Sequence, residues 1–489
     1  MIATPPSSLR SASELVLLDG LALSQAIAAK QVSCREVMAA FLDHIDRFNP
    51  QVNAIVSLRP RDQLLAEAAE RDRELARGQR RGWMHGFPHA VKDLAQTRNL
   101  RTTWGSPLLD VVPTEDAIFV ERIRGSGAII IGKTNVSEFG MGSQAYNPVF
   151  GTTLNPWDVS KTAGGSSGGA GAALALHMLP VADGSDMMGS LRNPAAYNHV
   201  LALRPSYGRV PSASIELFFG QLMVEGPMAR KVADLAMLLA VMAGPDPRMP
   251  FSIEEDAAIF TRTLERDFHG TRIAWLGDLN GYLPMEPGIL DLCRGGLEGL
   301  ESVGCAVEDA ALGFAPEHMW SAWTTLRHWL IAGNLGAAYQ DPAKRARMKP
   351  EAVWEVEGGL KLSAQQAYQA SVTRSELYRA VLKLFETYEY LALPSAQVFP
   401  FDAGTHWPAT INGVTMDTYH RWMEVVILAS LLGFPTVGVP VGFNAAGLPM
   451  GMQIIGKRNA DFAVLQIAHA YEQVAKWASD RRPPMLRLG

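Results

Sequence analysis

Two glycine–serine blocks constrain this chain more than any other feature: G-G-S-S-G-G at 164–169 and G-S-D-M-M-G-S-L-R at 184–192. Glycine adopts backbone conformations closed to other residues and lets groups approach the main chain closely. Serine hydroxyls set among glycines are therefore presented beside backbone N–H groups, as attack on a carbonyl requires. A hydroxyl attacks only when a base takes its proton, and a desolvated lysine is one of few side chains able to do so. Lys92, in G-F-P-H-A-V-K-D at 86–93, is a lone cation among small and apolar neighbours. The three blocks together point to Ser–Ser–Lys hydrolytic chemistry.

In this order, the blocks resemble the amidase signature family of serine hydrolases. G-K-T-N at 132–135, N-P-W at 155–157, G-P-M-A-R at 226–230 and G-L-P-M-G-M-Q at 447–453 agree with it. The resemblance spans nearly the whole chain and is densest over 80–230. It implies an α/β fold: a single large domain over 1–489, with a mixed central β-sheet flanked by helices and a helical, substrate-covering region over 235–390. It further implies Ser190 as nucleophile, Ser166 as bridging serine after a cis peptide bond, and Lys92 as base. The N–H groups of Met187, Met188, Gly189 and Ser190 would form the oxyanion hole, with Ser167, Asp186 and Arg192 in support. No cofactor or metal is expected. Met188 departs from the family, which usually has glycine there. Non-glycine residues rarely take positive φ, so Met188 is expected to keep an ordinary backbone.

The chemistry sets its own demands. Lysine's ordinary pKa of about 10.4 must fall to near 7 for the amine to act as a base at neutrality. Burial and surrounding hydroxyls would lower it, whereas a nearby carboxylate would favour the charged form. Asp93 is therefore expected to point away from Lys92. Asp186 and Arg192 read as a structural pair pinning the loop.

Two other motifs compete. G-A-I-I-I-G-K-T at 127–134 matches the P-loop pattern, which would make the chain a nucleotide-binding protein using Lys133. A phosphate cradle needs loop residues presenting N–H groups, and Ala-Ile-Ile-Ile is a strand, so Lys133 reads instead as a structural strand-end lysine. G-G-S-S-G also fits the nucleophile elbow of α/β-hydrolases, which requires a strand immediately before it. Residues 158–163 do not read as one.

Elsewhere, a capping box at Ser33 and Glu36 starts a helix that Asn49 and Pro50 should end. Further helices are expected over 62–77 and 116–124, and strands at 128–131, 391–394 and 436–441. Helix and strand in alternation argue an α/β architecture. Trp320, Trp323 and Trp329 read as a core-facing stripe rather than a substrate wall.

A net charge of −5 gives no basis for binding nucleic acid. The three cysteines, Cys34, Cys293 and Cys305, are too few and scattered for a disulfide framework. Residues 1–8 carry no secretory signal pattern, and no apolar run reaches membrane-spanning length. A cytoplasmic monomer or homodimer acting on a small molecule is expected. The apolar stretch 215–223, with Trp320, Trp323 and Met188, suggests a pocket for bulky, apolar or aryl acyl compounds. Within the family the chain resembles stand-alone bacterial amidases, which implies amides, esters and carbamates (urethanes) as substrates. Candidate substrate contacts are Met141, Gly142, Ser143, Phe218, Phe219 and Gln397, with Ser395 and Phe399 beside the last. The alternative within the family is the glutaminase component of an amidotransferase.

Overall fold

The computed structural model describes residues 12–213, 216–475 and 481–487, so the N-terminal stretch 1–8 and Ile215 lie outside the described residues. The Ser33–Glu36 capping box is formed in both directions and opens helix α1 (Cys34–Val52). Pro50 does not end this helix, which runs on to Val52 and stops at Asn53 in the left-handed conformation. Pro50 has no N–H to give Asp46 O, and the helix continues only two residues beyond it. Helices α2 (Arg61–Ala76) and α3 (Ile118–Gly125) follow.

Ten strands organise the rest: β1 (Pro88–Lys92), β2 (Ile129–Thr134), β3 (Ala182–Asp186), β4 (Leu201–Arg204) and β5 (Val224–Ala229) come first. Then come β6 (Arg272–Trp275), β7 (Ala306–Asp309), β8 (Tyr390–Pro394), β9 (Thr436–Phe443) and β10 (Pro449–Ile455). Eight form one mixed sheet in the order β7-β6-β8-β10-β9-β4-β5-β3. Its β7–β6–β8 edge is parallel and the remainder antiparallel. Strands β1 and β2, parallel to each other, join Ile55–Val56 in a second sheet. The two sheets are tied by a side chain: Asp183 of β3 accepts from the Lys92 N–H (3.1 Å) and bonds His89 Nε2 (2.8 Å).

Two further expectations need correction. Strands β6 and β7 of the main sheet lie inside the stretch read as helical, whose helices are concentrated in α6 (Pro316–Gln340), α7 (Pro350–Leu360) and α8 (Ala364–Thr387). Residues Asp158–Thr162, read as unlike a strand, do form one, paired with Leu154–Asn155 in a hairpin. Cross-strand pairing here overrides weak local propensity. Trp320 and Trp323 are buried and Trp329 half-buried. No helix among the described residues is long and apolar enough to cross a membrane.

The helix following the first glycine block, α4 (Gly168–Ala175), is buried along its whole length and built of glycine, alanine and one leucine. Its start docks backbone to backbone, the Gly169 N–H donating to Asn135 O at 3.1 Å. A β-carbon on Gly169 would stand within 2.7 Å of Asn135 N and O and Ala54 O. Main-chain atoms cannot swing aside as a side-chain end can. Gly169→Ala is therefore expected to cost about 1–3 kcal/mol, measured as a lowered thermal-unfolding midpoint.

Candidate active site

Lys92 ends β1, and its side chain is almost fully buried. Its Nζ meets Ser166 Oγ at 2.9 Å, Ser167 Oγ at 2.8 Å, Ser185 Oγ at 2.9 Å and Ser185 O at 3.1 Å. Each hydroxyl can donate or accept, so this shell accommodates an ammonium and, by turning one O–H toward the lone pair, a neutral amine. Burial lowers the Lys92 pKa to about 8. Asp93 does turn away, accepting from Thr103 Oγ1 at 2.6 Å. The Gly165–Ser166 peptide bond is cis.

Strand alternation sorts the second glycine block. Side chains two apart share a face: Asp183 and Ser185 face β1, whereas Asp186 faces the opposite way. There Asp186 receives Arg192 Nε and Nη2, both at 3.0 Å, and Arg204 Nη1 at 3.1 Å. Burial alone would raise the Asp186 carboxyl, but the two guanidinium groups hold it well below the usual carboxylate range. Its Oδ1 also accepts the Gly189 N–H at 2.8 Å. That corrects the expected oxyanion hole, because Gly189's N–H is already committed. The N–H groups of Met187, Met188 and Ser190 donate to no acceptor among the described residues. Positive φ falls on Gly189 (79°) and not on Met188.

Ser166 and Ser190 line one narrow cavity of about 50 Å³, with Met141, Gly142, Met187 and Met188 in its wall. Leu94, Phe139, Met223, Ile331, Met423 and Arg327 complete most of the lining. A cleft of about 370 Å³ around Tyr207, Arg374 and Tyr378 is larger but holds none of these serines. Other candidates lie elsewhere. Ser143 Oγ binds Gly165 O at 2.6 Å, fastening the loop rather than facing the cavity. Both ends of the Gln397 amide are taken by backbone, from Val425 N (3.1 Å) and to Pro284 O (3.1 Å). Phe218 and Phe219 are 58% and 66% exposed, packed edge-on against Phe251 and Trp329, outside the cavity. Ser395 and Phe399 are buried but do not line it.

Sequence reasoning missed Ser185 and Arg327. Ser185 sits two residues from Asp183 on a strand, so alternation could have flagged it. Arg327 comes from α6, far away in sequence, and no local signal marks it. Its Nε meets Glu355 Oε1 at 2.6 Å and its Nη2 meets the Tyr419 hydroxyl at 2.8 Å, while among the described residues its Nη1 reaches only Met187 Sδ at 3.0 Å.

The competing motifs part from the site. Lys133 is buried in β2, its Nζ held by Ala95 O (2.7 Å) and Thr97 Oγ1 (2.8 Å). The hairpin strand before G-G-S-S-G does supply the missing half of an elbow. It lies outside the central sheet, however, and Ser166 contacts a lysine rather than a histidine.

A mixed sheet wrapped by helices, with a buried lysine held by serines of two glycine-rich blocks, defines a hydrolase of carbon–nitrogen bonds. The chain belongs to the amidase family, whose model, described as Amidase, matches residues 36–465. It is 31% identical over 471 residues to an acylamidase of Rhodococcus erythropolis, covering 95% of this chain and 97% of that protein. It is 35% identical over 501 residues to a glutamyl-tRNA(Gln) amidotransferase chain of Ralstonia nicotianae, covering 94% and 98%. A bacterial aryl acylamidase structure superposes with TM-score 0.87 at 28% identity, covering 97% and 99%. The peptide amidase of Stenotrophomonas maltophilia does so with TM-score 0.80 at 26%, covering 95% and 98%.

With Lys92 as the base that the family resemblance implies, its lowered pKa gives the sign of the pH response. A lysine that must be neutral to accept a proton works above its pKa. With that pKa at about 8, kcat/KM for an amide is expected to rise about tenfold from pH 7 to 9 and then level off. A rate–pH profile on the wild-type enzyme measures this.

Proposed function

We propose that this enzyme is a broad acylamidase that also accepts carbamates and esters, working through Ser190, Ser166 and Lys92. The observation carrying this reading is the Lys92 amine, buried among serine hydroxyls with no carboxylate in contact, behind the cavity that Ser166 and Ser190 share. Ser190 Oγ bonds to the substrate carbonyl carbon while its proton passes to Ser166, whose own proton passes to Lys92. The N–H groups of Met187, Met188 and Ser190 receive the oxyanion. The C–N bond then breaks as the relay returns the proton to the departing nitrogen. Water repeats the sequence on the acyl-enzyme. A carbamate carbonyl takes the same attack.

The cavity's lining favours acyl groups of varied shape. Five methionines, Met141, Met187, Met188, Met223 and Met423, make up much of its wall. At about 50 Å³ it is smaller than the ~150 Å³ that holds a benzene ring, so an aryl acyl group enters only as side chains shift. Unbranched thioethers re-pack with little penalty. The glutaminase alternative fits less well. Arg327 offers a cation for a carboxylate, but among the described residues no Asp or Glu lines the cavity to receive the α-ammonium of free glutamine.

Three measurements test this. A fluorophosphonate should label the peptide containing Ser190; labelling of Ser166 would support the elbow instead. Lys92→Ala is expected to lose about 10²–10⁴-fold in amide hydrolysis, yet much less on activated esters, whose leaving groups depart unprotonated. Equal losses on both would count against the proton relay. In a panel of anilides, carbamates and glutamine, anilides and carbamates should turn over and glutamine should not.

A further inference from the structure

One buried carboxylate beside this site has no partner in the mechanism above. Glu225 sits on β5 directly opposite Ser185 of β3 in an antiparallel register. Side chains of directly opposed residues lie on the same face of a sheet. Glu225 therefore projects to the side on which Ser185 holds the Lys92 amine. It is only 8% exposed and makes no hydrogen bond or ion pair with any described residue. A carboxylate buried without such compensation is costly, so its retention calls for a reason.

The charges around it narrow that reason. Lys92 feels the charge of Glu225 on β5 and Asp183 on β3 from its own side of the sheet, and that of Asp186 from the far face of β3. Asp183 is bonded to His89 and the Lys92 N–H, and Asp186 to Arg192 and Arg204. Glu225 in turn is faced by Lys92 and Asp183. Of these carboxylates, Glu225 alone is not already bonded to another group. Burial pushes its carboxyl well above the ordinary range, while the lysine charge pulls it down. The two therefore titrate as a pair.

We propose that Glu225 is a positioning residue for the proton relay: a buried counter-charge, not hydrogen-bonded to Lys92, that sets how readily the lysine takes and returns the proton of Ser190. The proposal rests on Lys92 being the base. When the relay delivers a proton to Lys92, the ionised Glu225 stabilises the ammonium. The proton itself stays on the Ser190–Ser166–Lys92 path and leaves with the amine, so Glu225 forms and breaks no bond. Without its charge, burial acts on Lys92 unopposed and the amine becomes a weaker base.

The test is the pH dependence of Ser190 phosphonylation by a fluorophosphonate, which needs no knowledge of the natural substrate, followed by kcat and KM on an anilide. In Glu225→Gln the rising limb is expected to move down by about one pH unit, with the plateau kcat lowered and KM little changed. Glu225→Asp, which keeps the charge, should fall between Gln and wild type. Glu225→Val is the second neutral replacement, and whichever of the two melts cooperatively decides the question. A neutral variant whose limb coincides with wild type, or whose change lies in KM alone, overturns the proposal. Lys92→Ala separates the two ideas. If it keeps the wild-type limb, the lysine-base reading fails. If it loses the limb while Glu225→Gln keeps it, only the role of Glu225 fails.

Discussion

The rest of the structure depends on burying one amine without giving it a carboxylate to bond. A lysine in contact with a carboxylate stays charged and cannot accept a proton. A lysine buried with no polar contact at all would leave its N–H groups unsatisfied. Three serine hydroxyls and one carbonyl meet both conditions for Lys92, because hydroxyls satisfy the amine in either protonation state without holding it charged. Those serines come from two chain segments, and the second sheet must bring β1 alongside β3 for them to converge. Asp183 makes that junction, its carboxylate bonding β1 in place of a backbone ladder.

Charge that would hold Lys92 protonated is handled on the other face of the same strand. Asp186 lies three residues from Asp183, so pleating turns it away from Lys92 and toward Arg192 and Arg204. This fully buried cluster also shapes the loop before Ser190, since Asp186 accepts the N–H groups of Gly189 and Leu191. Gly189 takes the left-handed turn. Met188 is thereby spared it and keeps an ordinary backbone. Its side chain is free to serve as cavity wall.

The cavity joins a rigid half to an adaptable one. The serines and their glycine loops are fixed by main-chain contacts, with α4 docked backbone to backbone. The far wall comes from α6, which supplies Ile331 and the Arg327 guanidinium, and from the segment carrying Met423. Arg327 is anchored by Glu355 and Tyr419 but leaves Nη1 against a thioether, the weakest acceptor in its shell.

The chain's own sequence determined the α/β class, the family, and the residues that meet at Lys92, because glycine, serine and lysine in ordered blocks are demanded by local backbone geometry and by the chemistry of a hydroxyl. It also marked Lys133 as structural, since a β-branched run before it can only be strand. It misled where pairing outweighs propensity, as at the hairpin strand Asp158–Thr162, and where one N–H has two claimants, as at Gly189. Phe218 and Phe219 look like pocket residues by composition, yet nothing in their local pattern tells which way a loop will face. Tertiary structure alone decided the placement of Arg327, the alignment of Glu225 with Ser185 and the methionine wall. Each depends on strands or helices distant in sequence coming side by side, and sheet register and helix packing are set by the burial of the whole core rather than by the residues on either side.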